Sequence, residues 1–144
     1  MSTISRQIIT LHLPWAYWVF RGWKTIETRK HPRFECLLGK RIGIHASKTW
    51  DENAIAAAAE FLIPSMLKET EEMRREFFRY EGHILCTVDV HAFRALTELD
   101  ARAAMIECKT KRFGLFLTNV NPLKPFIAKR GNQGIWRYHL PLAA

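Results

Sequence analysis

The first regular pattern is the short β-branched run Ile8-Ile9-Thr10-Leu11-His12-Leu13, which predicts a strand. It stops where Pro14 opens a helix, because proline's missing N–H costs nothing at the first helical position. Trp15-Ala16-Tyr17-Trp18-Val19-Phe20 is apolar on nearly every side, so this helix should enter the core, and Gly22 supplies its stop. His31-Pro32-Arg33 reads as a loop. Gly39-Lys40 then begins a strand through Ser47, with Ile42, Ile44 and Ala46 on one face and Gly43, His45 and Ser47 on the other.

Thr49-Trp50-Asp51-Glu52 fits a capping box, predicting an alanine-rich helix that ends near Pro64. Ser65 can cap a second helix through about Tyr80, with Glu71 and Arg75 spaced for an i,i+4 pair. Residues 51–80 therefore form a helical excursion packed against a sheet. Gly82 to Phe93 reads as a long strand, followed by a short helix capped by Thr97 with Asp100 three residues on. Phe113 to Val120 is the next strand, Pro122 and Pro125 predict a loop, and Gly131-Asn132-Gln133-Gly134 turns into a closing strand, Ile135 to Leu140. The expected class is α+β: five or six strands in a mixed barrel or strongly curved sheet with surrounding helices, since closure removes exposed edges. One domain over residues 1–144 is expected, without repeats or linkers.

Composition narrows the partners. Lysine and arginine number 22 against 14 acidic residues, and the resulting charge of +8 favours phosphate-rich or otherwise anionic partners. A basic surface without such a partner is the plainer reading of the same number. Cys36, Cys86 and Cys108 suggest no disulfide framework, which fits a reducing cytoplasm. No apolar run approaches the roughly 20 residues that cross a bilayer, so neither membrane insertion nor export is expected. Neither a metal nor a cofactor is expected. Cys-x-x-Cys and His-x-x-x-His spacings are missing, His83, Cys86, Asp89 and His91 alternate across strand faces, and no phosphate loop or Gly-x-Ser-x-Gly elbow occurs.

Candidate chemistry concentrates in Gly22-Trp23-Lys24-Thr25-Ile26-Glu27-Thr28-Arg29. Alternation puts Thr25, Glu27 and Arg29 on one face, Lys24, Ile26 and Thr28 on the other. Glu27 could accept a proton from an exocyclic amine while Arg29 binds phosphate or a base edge, or the two could form a structural ion pair. Lys24, if desolvated, could serve as a base, whereas a lysine at a strand start is more commonly solvated. His45, Ser47 and Lys48 precede the expected helix N-terminus, where free amides favour an anion, although Ser47 and Thr49 could serve only as caps. Trp15 and Trp50 could stack on a base or simply pack. Lys129 and Arg130 are candidates for phosphate contacts at the rim.

Four segments in order, Gly22-x-Lys24-x-Ile26-Glu27-x-Arg29, His45-Ala46-Ser47-Lys48, Asn119-Val120-x-Pro122-Leu123-x-Pro125 and Gly131-x-x-Gly134-Ile135-Trp136, resemble the ASCH domain of the PUA-like superfamily. The similarity runs from about Ile8 to His139 and leaves the helical excursion as a variable insertion. It implies a small β-barrel whose cleft floor carries the Lys24 to Arg29 segment and which binds RNA or modified nucleosides. A subgroup of small ASCH proteins looks like amidohydrolases of N4-acetylcytidine that use a lysine and a threonine of this segment with a distant glutamate, and ribonuclease activity is associated with others. Lys24 falls on the lysine position and Glu27 on the threonine position, with Thr25 available if the register shifts. The implied catalytic set is thus Lys24, Thr25 and Glu27. Trp15, Arg29, His45, Ser47, Lys48, Trp50, Lys129 and Arg130 join Lys24 and Glu27 as ligand contacts. The sequence identifies no protein partner.

Overall fold

Strand β1 (Thr3–Leu13) contains the predicted β-branched run and points Ile9, Leu11 and Leu13 into the main core. Helix α1 (Trp15–Phe20) follows directly, and burial of Ala16, Tyr17, Trp18 and Val19 accounts for its lack of a polar face. Gly22, at φ +76°, ends it in the left-handed conformation that glycine adopts without steric cost. This computed structural model describes residues 2–144.

Five further strands complete one sheet: β2 (Ile26–Arg29), β3 (Arg41–Trp50), β4 (His83–Ala95), β5 (Phe113–Ala128) and β6 (Ile135–Pro141). Their order is β2-β5-β4-β3-β1-β6. Only β1 and β3 run parallel, starting from Gln7 opposite Ile42, while the other neighbours are antiparallel. The sheet curls into a half-barrel around the main core, and its edge strands β2 and β6 are not hydrogen-bonded to each other. The α+β class and the curved six-stranded sheet expected from the sequence are thus observed. A smaller cluster on the outer face of β1 and β3 joins Ile8, Ile84, Leu123, Trp136 and Leu140.

Several local expectations are corrected by the pairing. The capping box at Thr49 does not form, because β3 continues to Trp50, which pairs with Leu13, and Asp51 N–H donates to Leu13 O at 2.7 Å. The helix beyond is shorter and starts later: α2 (Ala54–Ala57) is followed by a 3-10 turn, Ala59–Phe61. Helix α3 (Pro64–Arg75) begins with Pro64 in its first turn rather than on a Ser65 cap, then gives way to a 3-10 turn at Phe77–Arg79. Its i,i+4 ion pair is Lys68 with Glu72, not Glu71 with Arg75, and Arg74 reaches Glu52 instead. The loop expected at residues 31–33 tightens into a 3-10 turn, Pro32–Leu37. The Thr97 box with Asp100 forms as predicted and leads through a 3-10 turn into α4 (Ala101–Ala104).

Pro122 and Pro125 do not break β5. Beyond Phe116 this strand loses its β2 neighbour and pairs only with β4, so an edge is open on which a missing N–H costs no ladder bond. Three register shifts along β4 and β5 absorb the irregularity.

Candidate functional site

The site grows out of the way α1 ends. Trp18 O accepts hydrogen bonds from both Trp23 N–H (2.9 Å) and Lys24 N–H (3.1 Å), folding the chain back so that Lys24 enters the protein before β2 begins. Thr25 is then held by its backbone, donating to Ala103 O and accepting from Leu117 N–H, with its side chain exposed. Strict alternation therefore fails at Lys24, which precedes the strand, but holds for Ile26, packed against Leu96 and Ala104. Glu27 and Arg29 share the opposite face, as expected.

Lys24, Glu27, Thr28 and Arg29 line a cavity of about 310 Å³ with Thr10, His12, Trp15, Asp51 and Ile106. Lys24 is 2% exposed; its Nζ donates to Ala104 O at 2.5 Å, lies 4.0 Å from Glu27 Oε1 and sits 5.0 Å from the centre of the Trp15 ring. Burial lowers its pKa to about 8, against the opposing pull of Glu27. Arg29 Nε approaches Glu27 Oε2 at 3.3 Å yet is buried without a hydrogen-bond partner, and the guanidinium lies 4.3 Å from the centre of the Phe34 ring. Trp15 Nε1 donates to Asp51 Oδ2 at 2.8 Å while Asp51 Oδ1 accepts from Asn53 N–H, so this carboxylate braces the cavity wall, and Glu52, the acid of the expected capping box, pairs with Arg74 instead.

A second cavity, about 570 Å³, shares Thr10, His12 and Arg29 with the first and adds His45, Ser47, Lys48 and Arg130. A third, about 560 Å³, continues from Arg29 along Lys30, Arg33 and Gln133. Together they form one cleft with Arg29 at its centre, lying where β2 and the start of β6 face each other across the opening of the half-barrel.

His45 is only 2% exposed, and its hydrogen bonds assign its role. Its Nε2–H donates to Lys129 O at 2.6 Å, its Nδ1 accepts from the Thr10 hydroxyl at 3.2 Å, and Thr10 Oγ1 accepts from Trp136 Nε1 at 3.1 Å. Burial pushes its pKa below the usual histidine value, consistent with this neutral tautomer. The ring supports the loop that carries Arg130. A Cβ at Gly131 would meet His45 Cε1 at 2.5 Å and Nδ1 at 2.7 Å. Gly131→Ala should therefore cost about 1–3 kcal/mol, read as a lower denaturation midpoint with an unchanged slope. Wild-type stability in that variant would show that the loop packs otherwise.

Of the remaining predicted residues, Ser47 and Lys48 line the cleft, with Ser47 Oγ 2.8 Å from His12 Nδ1, but from a strand and not from a helix N-terminus. Lys129 is exposed and lies 5.0 Å from the centre of the Tyr138 ring. Trp50 packs against Phe77 and beneath Arg74, outside the cleft lining, so it anchors the excursion. Thr25, exposed and backbone-held, is likewise separated from the cleft, where Thr28 supplies the hydroxyl. Thr10, His12, Asp51 and Ile106 were not anticipated. Thr10 and His12 were detectable in principle, because they alternate with the buried Ile9 and Leu11 and so share the outer face of β1.

All three cysteines are free, with burial pushing Cys86 up to about 12. Among the described residues no three His, Cys, Asp or Glu side chains converge as a metal site, and no helix is long and apolar enough to cross a membrane.

No protein-family model matches the sequence, and no curated protein matches it either. The structure is similar to the crystal structure of ASCH from Zymomonas mobilis, at 17% identity and a TM-score of 0.49, covering 84% of this chain and 72% of that one. A Tyr-to-Phe mutant of the same Zymomonas mobilis protein matches at 17% identity and a TM-score of 0.42, over 83% of this chain and 73% of that one. A Ser-to-Ala mutant matches at 17% identity and a TM-score of 0.41, over 83% and 71%. At that identity the chemistry of the cleft rests on this chain's own residues.

Proposed function

We propose that the cleft binds RNA or a modified nucleoside, with the base in the inner cavity and phosphates along the cationic outer walls. The observation that carries this reading is the buried pair Lys24 and Glu27 with the half-buried Arg29 beside it, whose charged groups line a cavity of about 310 Å³. Burying the Lys24 and Glu27 charges is costly, and here their separation of 4.0 Å is long and the shielded Arg29 Nε is unpartnered, so the group is poorly optimised for stability alone. A ligand offering an exocyclic amine to Glu27 and an oxygen to Arg29 and Lys24 would complete it. Arg29, Lys30, Arg33, Lys48 and Arg130 suit the outer walls to phosphate.

Single-stranded RNA and a nucleoside panel that includes N4-acetylcytidine test the reading by equilibrium binding at stepped salt concentrations. Binding should weaken as salt rises, and Arg29→Ala should weaken it about tenfold or more, since a charge-assisted contact is worth about 1.5–3 kcal/mol. Absence of binding at low salt for every ligand would end the proposal.

A second reading, a hydrolase of N4-acetylcytidine or RNA, draws on Lys24. An amine with a pKa of about 8 is partly neutral near pH 7 and can take a proton from water beside a bound acyl or phosphoryl group. For N4-acetylcytidine the amide C–N bond breaks, water supplies the hydroxyl of acetate, and the released amine takes up the proton. The Thr28 hydroxyl and Glu27 carboxylate line the same cavity. Mass spectrometry of the incubated panel distinguishes the readings: acetate release or strand scission marks the enzyme, unchanged bound ligand the binding module.

A further inference from the structure

Lys24 has a capacity that neither reading of the cleft uses, because its nitrogen can form a covalent bond. Among the described residues Nζ finds one hydrogen-bond partner, Ala104 O, although an ammonium carries three N–H donors. Glu27 Oε1, at 4.0 Å, is beyond hydrogen-bond reach, and Nζ otherwise stands over the Trp15 ring. Lys24, Glu27 and Trp15 all line the inner cavity, so this nitrogen lies between two groups of the cavity wall with donors to spare.

The charged and titratable groups around it are Glu27 and Arg29 from β2, Cys108 and Arg112 from the segment between α4 and β5, and His12 and Asp51 on the cavity wall. Burial, aided by Arg112 and Arg29 and opposed by Glu27 and Cys108, brings its pKa down to about 8. At pH 7 the neutral amine is then about 300-fold more abundant than in a lysine at 10.5. A desolvated lysine beside other cations is the setting in which an amine attacks a carbonyl. Glu27 presents one oxygen to Lys24 and the other to Arg29, whose Nε is 3.3 Å away. Arg29 also lines both outer cavities, whose walls carry Lys48 and Arg130 on one side, Lys30 and Arg33 on the other, and no carboxylate. An aldehyde with a phosphate beside it therefore meets a nucleophile, a proton carrier and an anion clamp.

We propose that Lys24 forms a Schiff base with an aldehyde whose neighbouring phosphate is held at Arg29. The amine lone pair adds to the carbonyl carbon, and Glu27 moves the two nitrogen protons in turn to the carbonyl oxygen, which departs as water and leaves a C=N bond. Two sources share that chemistry: the opened sugar of an abasic site in single-stranded nucleic acid, and a free sugar phosphate. The first rests on the RNA reading of the cleft; the second does not.

Borohydride reduction fixes an imine as a stable amine and tests the proposal with two probes, a single-stranded oligonucleotide carrying one abasic site and pyridoxal 5′-phosphate. Peptide mapping of the parent should place the adduct on Lys24 in preference to exposed lysines such as Lys68. Its yield should level off above about pH 8, where exposed lysines are still climbing. Pyridoxal without the phosphate should be trapped about tenfold less, and Arg29→Ala should close that gap. Lys24→Arg keeps the charge and should abolish the adduct; mapping on the parent keeps the test valid should that variant not fold. The probe trapped at the lower concentration identifies the source. If RNA and nucleosides fail to bind while pyridoxal 5′-phosphate still marks Lys24, the RNA reading falls and the Schiff-base proposal stands. Bound RNA together with adducts confined to exposed lysines, for both probes, would overturn the proposal and leave the RNA reading intact.

Discussion

A Lys24→Met variant should lose roughly 3 kcal/mol of the pH dependence that the parent's stability shows between pH 8 and pH 10.5. Lys24 is almost fully buried, and its pKa falls from 10.5 in the unfolded chain to about 8 in the fold, chiefly through desolvation. Across that interval the unfolded chain holds a proton that the folded one has released, so stability rises with pH. Below pH 8 both states carry the charge and the full desolvation cost is felt; above pH 10.5 neither does. Methionine fills a similar volume without titrating, so the variant's stability relative to the parent is greatest near pH 7 and declines as pH rises. Paired denaturant titrations at several pH values isolate the effect, because tyrosines and cysteines that titrate in the same range are common to both proteins. Parallel curves for the two proteins would mean that Lys24 keeps an ordinary pKa and that the cavity is wetter than its geometry indicates. If the hydrolase reading holds, the same titration appears as a kcat/KM that climbs toward a plateau above pH 8, and Lys24→Met removes it.

Trp18→Ala should be the most damaging single substitution in the core, costing about 3–5 kcal/mol. Trp18 is fully buried, meets Trp15 edge-on at 4.9 Å, and donates from Nε1 to Thr70 Oγ1 at 3.0 Å, which in turn donates to Met66 O at 2.8 Å. This bond ties α1 to α3 and so attaches the helical excursion to the half-barrel. Trp18→Phe retains most of the packing and loses the tie, so it should cost about 1–2 kcal/mol, with a double-mutant cycle against Thr70→Val recovering the coupling. Equilibrium unfolding measures both. A loss below about 1 kcal/mol for Trp18→Ala would show that the site collapses around the vacancy.

The Trp18 substitution also bears on the cleft, because the carbonyl that turns Lys24 inward belongs to the same residue. Loosening α1 should weaken ligand binding beyond what stability alone explains. The excursion is thereby connected to the cleft through α1, although it supplies only Asp51, at its start, to the inner cavity wall.

The sequence by itself determined whatever depends on neighbours along the chain. The β-branched run at Ile8 to Leu13, the alternation of Ile42, Ile44 and Ala46, the stop at Gly22 and the Thr97 box with Asp100 are local signals with local causes, and each stands in the fold. Pairing of Glu27 with Arg29 was legible for the same reason, since residues two apart in a strand share a face. Tertiary structure decided the rest. Thr49 and Glu52 read as a helix start, but Leu13 drew the chain on into a strand and Arg74 took the Glu52 carboxylate. Pro122 and Pro125 read as a loop until the sheet provided an open edge. No local pattern shows that Lys24 is buried, because its environment is assembled from Trp15, Ala104 and Glu27, one of them 80 residues away. A residue's pKa and reactivity follow the dielectric and charges around it in space, and that surrounding exists only once the sheet has curled.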